Sequence, residues 1–297
     1  MHISMPALPR RNHVIVATVA AVLAVTGLLA TRGQAALAHS AKMLAHSGNP
    51  AAAPRPKPVI VLEHGAWADT SSWDGVIRLL QADGFTVYAP PDPLRGLSAD
   101  SAYLRDFLTK NAALAGKPVV LVGHSYGGAV ISDAAVGDPE VKALVYVDAF
   151  IPARGESVVQ LLTARPGTCL GNPATAFNAV PFPGAPAGDV DLYVKPAKFP
   201  HCFASGLPAS EAALLSATQR PFASAGGTEK SGPVAWRTVP SWAVIGTADR
   251  VIPPTELLFM ARRAGARITK VNAGHLSLIA DPRAVARVIR RAARATR

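Results

Sequence analysis

The sequence predicts one α/β domain: a mostly parallel sheet with helices on both faces and one long insertion. Three observations carry this. Short apolar, β-branched runs alternate with helical segments over residues 58–150. The alternation breaks over 151–238, where proline and glycine are frequent, and resumes over 239–297. Apolar runs of strand length separated by helices belong to a parallel sheet buried on both faces. A chain of 297 residues that is 49% hydrophobic can bury one large core, and 16% charged residues is too few for wholesale disorder.

Taken in order, Val59 to Leu62 reads as a strand ending at His64-Gly65. Ser71 to Ala82 reads as a helix stopped by Asp83-Gly84, and Thr86 to Ala89 as a strand stopped by Pro90-Pro91. Ser98 to Leu114 is expected to be helical, with Ser98 or Asp100 near its cap and Gly116 past its end. Val119 to Val122 is a strand, Gly128 to Val136 a helix and Lys142 to Val147 a strand. The 151–238 insert offers two helices, Glu156–Ala164 and Ser210–Thr218, and no clear strand; an insert of this length reads as a lid. Trp242–Ile245 is then a strand, Pro254–Ala264 a helix and Ile268–Val271 a strand. Asp281-Pro282 opens a last helix with Val285, Val288, Ile289, Ala292 and Ala293 on one face.

The first 57 residues read differently. Arg10-Arg11, the uncharged run Val14–Ala30 and the small residues Ala35–Ala38 have the layout of a secretory signal over 1–38, with cleavage after Ala38 or Ala35. The 17-residue run is at the lower limit for a membrane span, so a retained anchor is the competing reading. The paired arginines suggest twin-arginine export, although Asn12-His13 fit that signal poorly. Residues 39–57 form a flexible lead-in, and the mature chain is expected to be extracytoplasmic without stable membrane insertion.

The net charge of +11 does not point to nucleic acid. Residues 39–260 hold 17 basic and 18 acidic residues, whereas 261–297 hold ten basic and one acidic. The excess is concentrated in the last helix without interleaved aromatics, as in a solvated basic face. Cys169 and Cys202 are the two cysteines, both in the insert, and export would favour their pairing as a disulfide. No Cys or His cluster has metal-ligand spacing.

The chemistry is announced by Gly123-His124-Ser125-Tyr126-Gly127, between a strand and a helix. A G-x-S-x-G turn in that context holds a serine in a strained conformation above the sheet, with glycines where side chains would collide. Serine needs a base and a group to orient it. Asp249 follows the strand Trp242–Ile245 and His275 follows Ile268–Val271, so both lie at C-terminal strand ends in the order Ser, acid, His. Asp148, which also ends a strand, is the second-choice acid, and His201 is the competing histidine. An oxyanion needs two backbone donors: the Tyr126 N–H, and the Ala66 N–H after the turn at Gly65. Trp67 beside that turn is a candidate substrate contact, whereas Trp73 reads as core. Phe177, Phe182, Phe199, Phe203 and Phe222 either line an apolar entrance or give the insert its own core.

The segments HGAWADTSSW, GHSYGG, GTADRVIPP and NAGHLSLIADP resemble the small serine esterases of the α/β-hydrolase superfamily, a group of bacterial esterases and plant methylesterase or hydroxynitrile lyase proteins. The resemblance covers about 58–290, and FPHCFASGLP and ATQRP in the insert resemble the bacterial members. It implies an α/β-hydrolase fold, a Ser125–His275–Asp249 triad, an oxyanion hole at Ala66 and Tyr126, a small-molecule ester substrate and no cofactor. Hydroxynitrile lyase relatives use the same triad with a nearby lysine, for which Lys195, Lys198 and Lys230 are the candidates here, and some relatives only bind ligands. Two features depart from the group. Glu63 stands where an apolar strand residue is usual, and the insert's cysteines are not part of the general pattern.

Overall fold

The structure is a computed structural model that describes residues 56–296; the expected signal and most of the lead-in lie outside the described residues. The core strands are β1 (Val59–Glu63), β2 (Val87–Tyr88), β3 (Val119–His124), β4 (Val141–Val147), β8 (Ser241–Gly246) and β9 (Arg267–Val271). They form one sheet in the order β2-β1-β3-β4-β8-β9, and each neighbouring pair is parallel. Every residue of β1, β3 and β8 is buried, as expected of strands covered on both faces. The C-terminal ends of β1, β3, β4 and β8 therefore open onto one edge, where the site lies.

The helices between these strands are α1 (Asp74–Ala82), α2 (Leu97–Lys110), α3 (Tyr126–Ala134), α8 (Pro254–Arg263), the short α9 (Ser277–Ala280) and α10 (Pro282–Ala295). The expected helix from Ser71 begins instead as a 3-10 turn, Thr70–Trp73, capped by Asp69, whose carboxylate accepts the Ser71 N–H. Trp73 is fully buried. In α10, Val285, Val288, Ile289, Ala292 and Ala293 are buried against α1 and the sheet, while Arg283, Arg287, Arg291 and Arg294 face solvent. Four of the ten basic residues over 261–297 thus lie on a solvated helix face. Asp281 caps this helix by accepting the Ala284 N–H, and Pro282 occupies a first-turn position whose missing N–H costs nothing.

The insert holds α4 (Val158–Thr163), α5 (Pro173–Ala176), α6 (Ala209–Thr218) and α7 (Ser224–Thr228). Contrary to the sequence expectation, it also holds three strands: β5 (Phe177–Val180), β6 (Asp191–Val194) and β7 (Phe222–Ala223), paired antiparallel in that order. They escape a reading of local pattern because none exceeds four residues and Pro181 and Pro221 adjoin two of them. β6 also begins with a charge, Asp191, which is neutralised by Arg95 at 2.8 Å. Their pairing is decided by distant partners, such as Leu192 with Phe222.

Cys169 and Cys202 are disulfide-bonded across 33 residues of the insert. The Cys169 N–H also donates to the Arg250 carbonyl at 2.8 Å, which ties the bridge to the loop carrying Asp249. Closing a loop of this length removes about 3–4 kcal/mol of unfolded-chain entropy. Cys169→Ser with Cys202→Ser should therefore lower the thermal midpoint by several degrees relative to the oxidised chain. An unchanged midpoint would show that the bridge adds nothing to stability.

Candidate active site

Ser125 sits between β3 and α3 at φ 52°, ψ −120°, outside the comfortable range of a residue with a Cβ. Such a conformation costs roughly 1–3 kcal/mol and is held by the surrounding packing. Two glycines make the turn possible. A Cβ on Gly123 would lie 2.5 Å from the Gly127 carbonyl oxygen, and one on Gly127 would lie 2.5 Å from that of His64. Helix α3 and the loop at His64-Gly65 therefore approach the serine more closely than any side chain allows.

The structure brings Ser125, His275 and Asp249 together. The Ser125 hydroxyl lies 2.9 Å from His275 Nε2, and His275 Nδ1–H donates to Asp249 Oδ2 at 2.8 Å. Asp249 Oδ1 accepts the Val251 and Ile252 N–H groups at 2.8 and 3.0 Å, so this carboxylate is fixed by its own loop. Burial pushes the Asp249 carboxyl up, and those two N–H groups pull it back. Burial drives the His275 imidazole from 6.5 down to about 3, so the ring is neutral at pH 7 with Nε2 free to accept a proton. His124, the motif's second residue, donates from Nε2 to the His275 carbonyl at 3.0 Å and so holds the loop that carries His275.

Asp148 lies close by but does not reach His275 through any of its hydrogen bonds. Its φ is 45°, and its carboxyl accepts the Gly246 N–H at 2.6 Å and the Ser277 N–H at 3.3 Å. Burial first, and the Asp249 charge second, push its pKa well up. It therefore serves as a neutral brace between the ends of β4 and β8. His201 lies in the insert, where its carbonyl accepts from Arg250, away from the serine.

Ala66, Tyr126 and Trp67 all border the serine. With Ser125, Phe150, Val158, Leu162, Leu170, Phe222 and Val251 they line a small closed cavity with about 20 Å³ of room for a water-sized sphere. Apart from the serine hydroxyl, its lining side chains are apolar or, like Tyr126, turn their polar end elsewhere: the Tyr126 hydroxyl donates to Asp100 at 2.8 Å. Of the insert's residues here, Phe222 is one of the phenylalanines expected at an apolar entrance, whereas Val158, Leu162 and Leu170 carry no local signal, because only the folded insert brings them over Ser125. A larger open groove of about 570 Å³ lies beside Arg165, Phe259 and Arg262 and includes none of the three residues around the serine.

Trp67 does more than border the cavity. It adopts φ 57°, donates its indole N–H to the Leu192 carbonyl of β6 at 2.8 Å, and packs against Phe177, Phe203 and Phe222 with ring centres 5.2 to 5.8 Å apart. Three of the insert's phenylalanines thus pack around Trp67, whereas Phe182 lies under Arg95, and Phe203 also covers His275 at 5.2 Å. Lys195 and Lys198 bond to Ala174 and Thr175, and Lys230 lines a separate groove with Ser98 and Asp133; none borders the serine cavity. Among the described residues no cluster of His, Cys, Asp or Glu has the arrangement of a metal site.

Comparison with known proteins agrees with this architecture. The sequence model of the Alpha/beta hydrolase family matches residues 59–288. A carbendazim hydrolyzing esterase from Nocardioides sp. (strain SG-4G) is 37% identical over 113 residues, which is 34% of this chain and 46% of that protein; the match spans less than half of the esterase's length. Polyneuridine aldehyde esterase superposes with a TM-score of 0.67 at 17% identity, over 80% of this chain and 99% of that one. A pyrethroid hydrolase from Sphingobium faniae JZ-2 superposes with a TM-score of 0.62 at 21% identity, over 80% of this chain and 98% of that one. At such identities the two structures speak for the shared fold.

Proposed function

The chain belongs to the alpha/beta hydrolase family, and from that premise we propose that it is a serine hydrolase acting on uncharged carboxylic esters of small to medium apolar groups. Its esterase-named relatives support the hydrolase class, and the Ser125–His275–Asp249 hydrogen-bond chain carries the finer reading. Ser125 Oγ attacks the ester carbonyl while His275 Nε2 takes its proton. Asp249 holds the Nδ1 tautomer and stabilises the imidazolium that forms. The Ala66 and Tyr126 N–H groups receive the oxyanion. His275 then returns the proton to the leaving alcohol, and water releases the acid by the same steps in reverse. The apolar lining favours an uncharged acyl group over a carboxylate, whose burial without a partner is costly, and the cavity, with room for about one water, must widen to admit the acyl group. A hydroxynitrile-lyase-like reaction on the same scaffold is disfavoured by the absence of a lysine among the residues bordering the cavity.

We extend the proposal to location: the Arg10-Arg11 and Val14–Ala30 segments and the disulfide both fit export to an oxidising compartment. Short p-nitrophenyl esters offered to the mature chain test the activity. Turnover is expected with acetate and butyrate esters and not with succinate monoesters; hydrolysis of the charged ester at equal rate would contradict the pocket chemistry.

The pH profile follows from His275. The base works in its neutral form, and its pKa lies below the ordinary 6.5. Activity is therefore expected to hold as pH falls from 7 through 6.5, and to be lost only in more acidic solution. An acid limb of kcat/KM centred at or above 6.5 would show that the imidazole is not held neutral as described.

A further inference from the structure

Glu63 is a charge at the end of an otherwise apolar strand, and the structure shows its surroundings. Glu63, Asp92 and Asp100 are each 2% exposed or less, and together they form a buried carboxyl cluster beneath the oxyanion loop. Glu63 Oε2 and Asp92 Oδ2 are buried with no N–H or hydroxyl donor, and burial together with the neighbouring carboxyls raises both groups, the setting in which two carboxyls share a proton. Asp92 Oδ1 accepts the Leu94 N–H at 2.9 Å, and the Asp100 charge adds to the rise of the Asp92 carboxyl. Asp100 is the saturated end of the chain: it accepts the Tyr126 hydroxyl at 2.8 Å, the Arg95 N–H at 3.0 Å and the Gly96 N–H at 3.2 Å.

A proton order that fits these donors runs from Glu63 to Asp92 to Asp100, with Tyr126 donating to Asp100 from the other side. In that order the three carboxyls would hold two protons, with the remaining charge on Asp100, which has the donors to support it. The chain starts three residues before Ala66 and ends on the side chain of Tyr126. Asp92 makes a second tie to the same loop: its N–H donates to His64 Nε2 at 3.0 Å, while His64 Nδ1–H donates to the Gly65 carbonyl at 2.9 Å.

We propose that Glu63, Asp92 and Asp100 are positioning residues for the oxyanion hole, a proton-bearing strut that links the Ala66 loop to Tyr126. The inference rests on the serine hydrolase reading above. Its physical reason is twofold. The strut fixes the two elements whose backbone N–H groups must converge within hydrogen-bond reach of one oxygen. Its two protons also keep negative charge away from the place where the oxyanion develops. Loss of one proton adds a charge there, so turnover should fall as the strut ionises. Asp92 is the member placed to ionise first: burial, then the Asp100 charge, raise it to about 8, whereas Glu63 is held well up by burial and by Asp92. The other titratable or charged groups facing the strut are His64, held near 4 by burial and so neutral, Tyr126, pushed well up by burial, and Arg220, which favours ionised Asp92; Glu229 faces the Tyr126 end.

The test compares wild type, Glu63→Gln, Glu63→Leu and Asp92→Asn by kcat, KM and pH profile on p-nitrophenyl acetate, with the rate of fluorophosphonate labelling of Ser125 measured in parallel. Glu63→Gln keeps a donor to Asp92 and should stay near wild type. Glu63→Leu should lose about 10- to 100-fold in kcat and in labelling rate, with KM little changed, part of the cost of a lost oxyanion donor. In wild type kcat should decline on the alkaline side near pH 8, and Asp92→Asn, which folds around the same hydrogen bonds but cannot ionise, should lack that decline. An alkaline limb identical in Asp92→Asn, or full kcat in Glu63→Leu, overturns the proposal while leaving the hydrolase reading intact. Should Glu63→Leu not fold, the Asp92→Asn profile decides alone. A wild type that neither turns over esters nor labels overturns both readings.

Discussion

Ser125→Ala is expected to abolish ester turnover, lowering kcat by about 10⁴-fold or more while the protein stays folded. The reason lies in the single hydrogen-bond chain that joins the serine to its base and the base to its acid. Groups that act as one unit do not contribute independently. His275→Ala should therefore cost about as much as Ser125→Ala, and the double variant little more than either alone. Saturation kinetics on one p-nitrophenyl ester with the three proteins checks this. Multiplying losses in the double variant would show that the two residues act independently, and substantial turnover left in Ser125→Ala would place the nucleophile elsewhere.

The second large effect separates two neighbouring acids. Asp249→Asn should lower kcat by about 10⁴-fold, because an amide there can present its N–H₂ to His275 Nδ1 and stabilise the wrong tautomer. Asp148→Asn should keep most of its turnover. Its carboxyl is held protonated; Oδ1 accepts the Gly246 N–H at 2.6 Å and Oδ2 the Ser277 N–H at 3.3 Å, so an amide keeps the shorter bond through its oxygen and gives up only the longer one. Both variants are measured at saturating ester with melting curves alongside. The reverse pattern, with Asp148→Asn inactive and Asp249→Asn normal, would exchange the two roles.

How much of this was legible in the sequence depended on how local each signal was. The strands of the main sheet announce themselves because they are buried on both faces and rich in Val, Ile and Leu, as in Val119–Val122. The serine turn is legible for the same reason: Gly123 and Gly127 are required by backbone contacts within five residues or with the adjoining strand end. The choice between Asp148 and Asp249 was not local. Both end strands, and only the path of the loop after β8, with Val251 and Ile252 donating to Asp249, turns that carboxylate to His275.

The insert was the least legible region. Its strands are two to four residues long, and they are fixed by Trp67, by Arg95 and by each other. Trp67 read as a pocket residue from its place after Ala66, and it does border the cavity. Its indole bond to Leu192 and its clasp by three phenylalanines depend on segments more than 100 residues away. Glu63 is the instructive case. The sequence flagged it as out of place in an apolar strand, but its partners Asp92 and Asp100 come from the loop after β2 and the start of α2. A misplaced charge in a buried strand was the signal; the fold alone supplied its meaning.

The central claim is that Ser125 forms an acyl-enzyme. The measurement that tests it most directly is acid quenching of the mature enzyme during turnover of p-nitrophenyl acetate, followed by peptide mass spectrometry. The account predicts an acetyl group on the peptide carrying Ser125, accumulating in a burst and clearing as the ester is exhausted, and absent in Ser125→Ala. Steady turnover with no acetyl on Ser125, even when deacylation is slowed by low pH, or an acetyl that persists in Ser125→Ala with undiminished turnover, would contradict it.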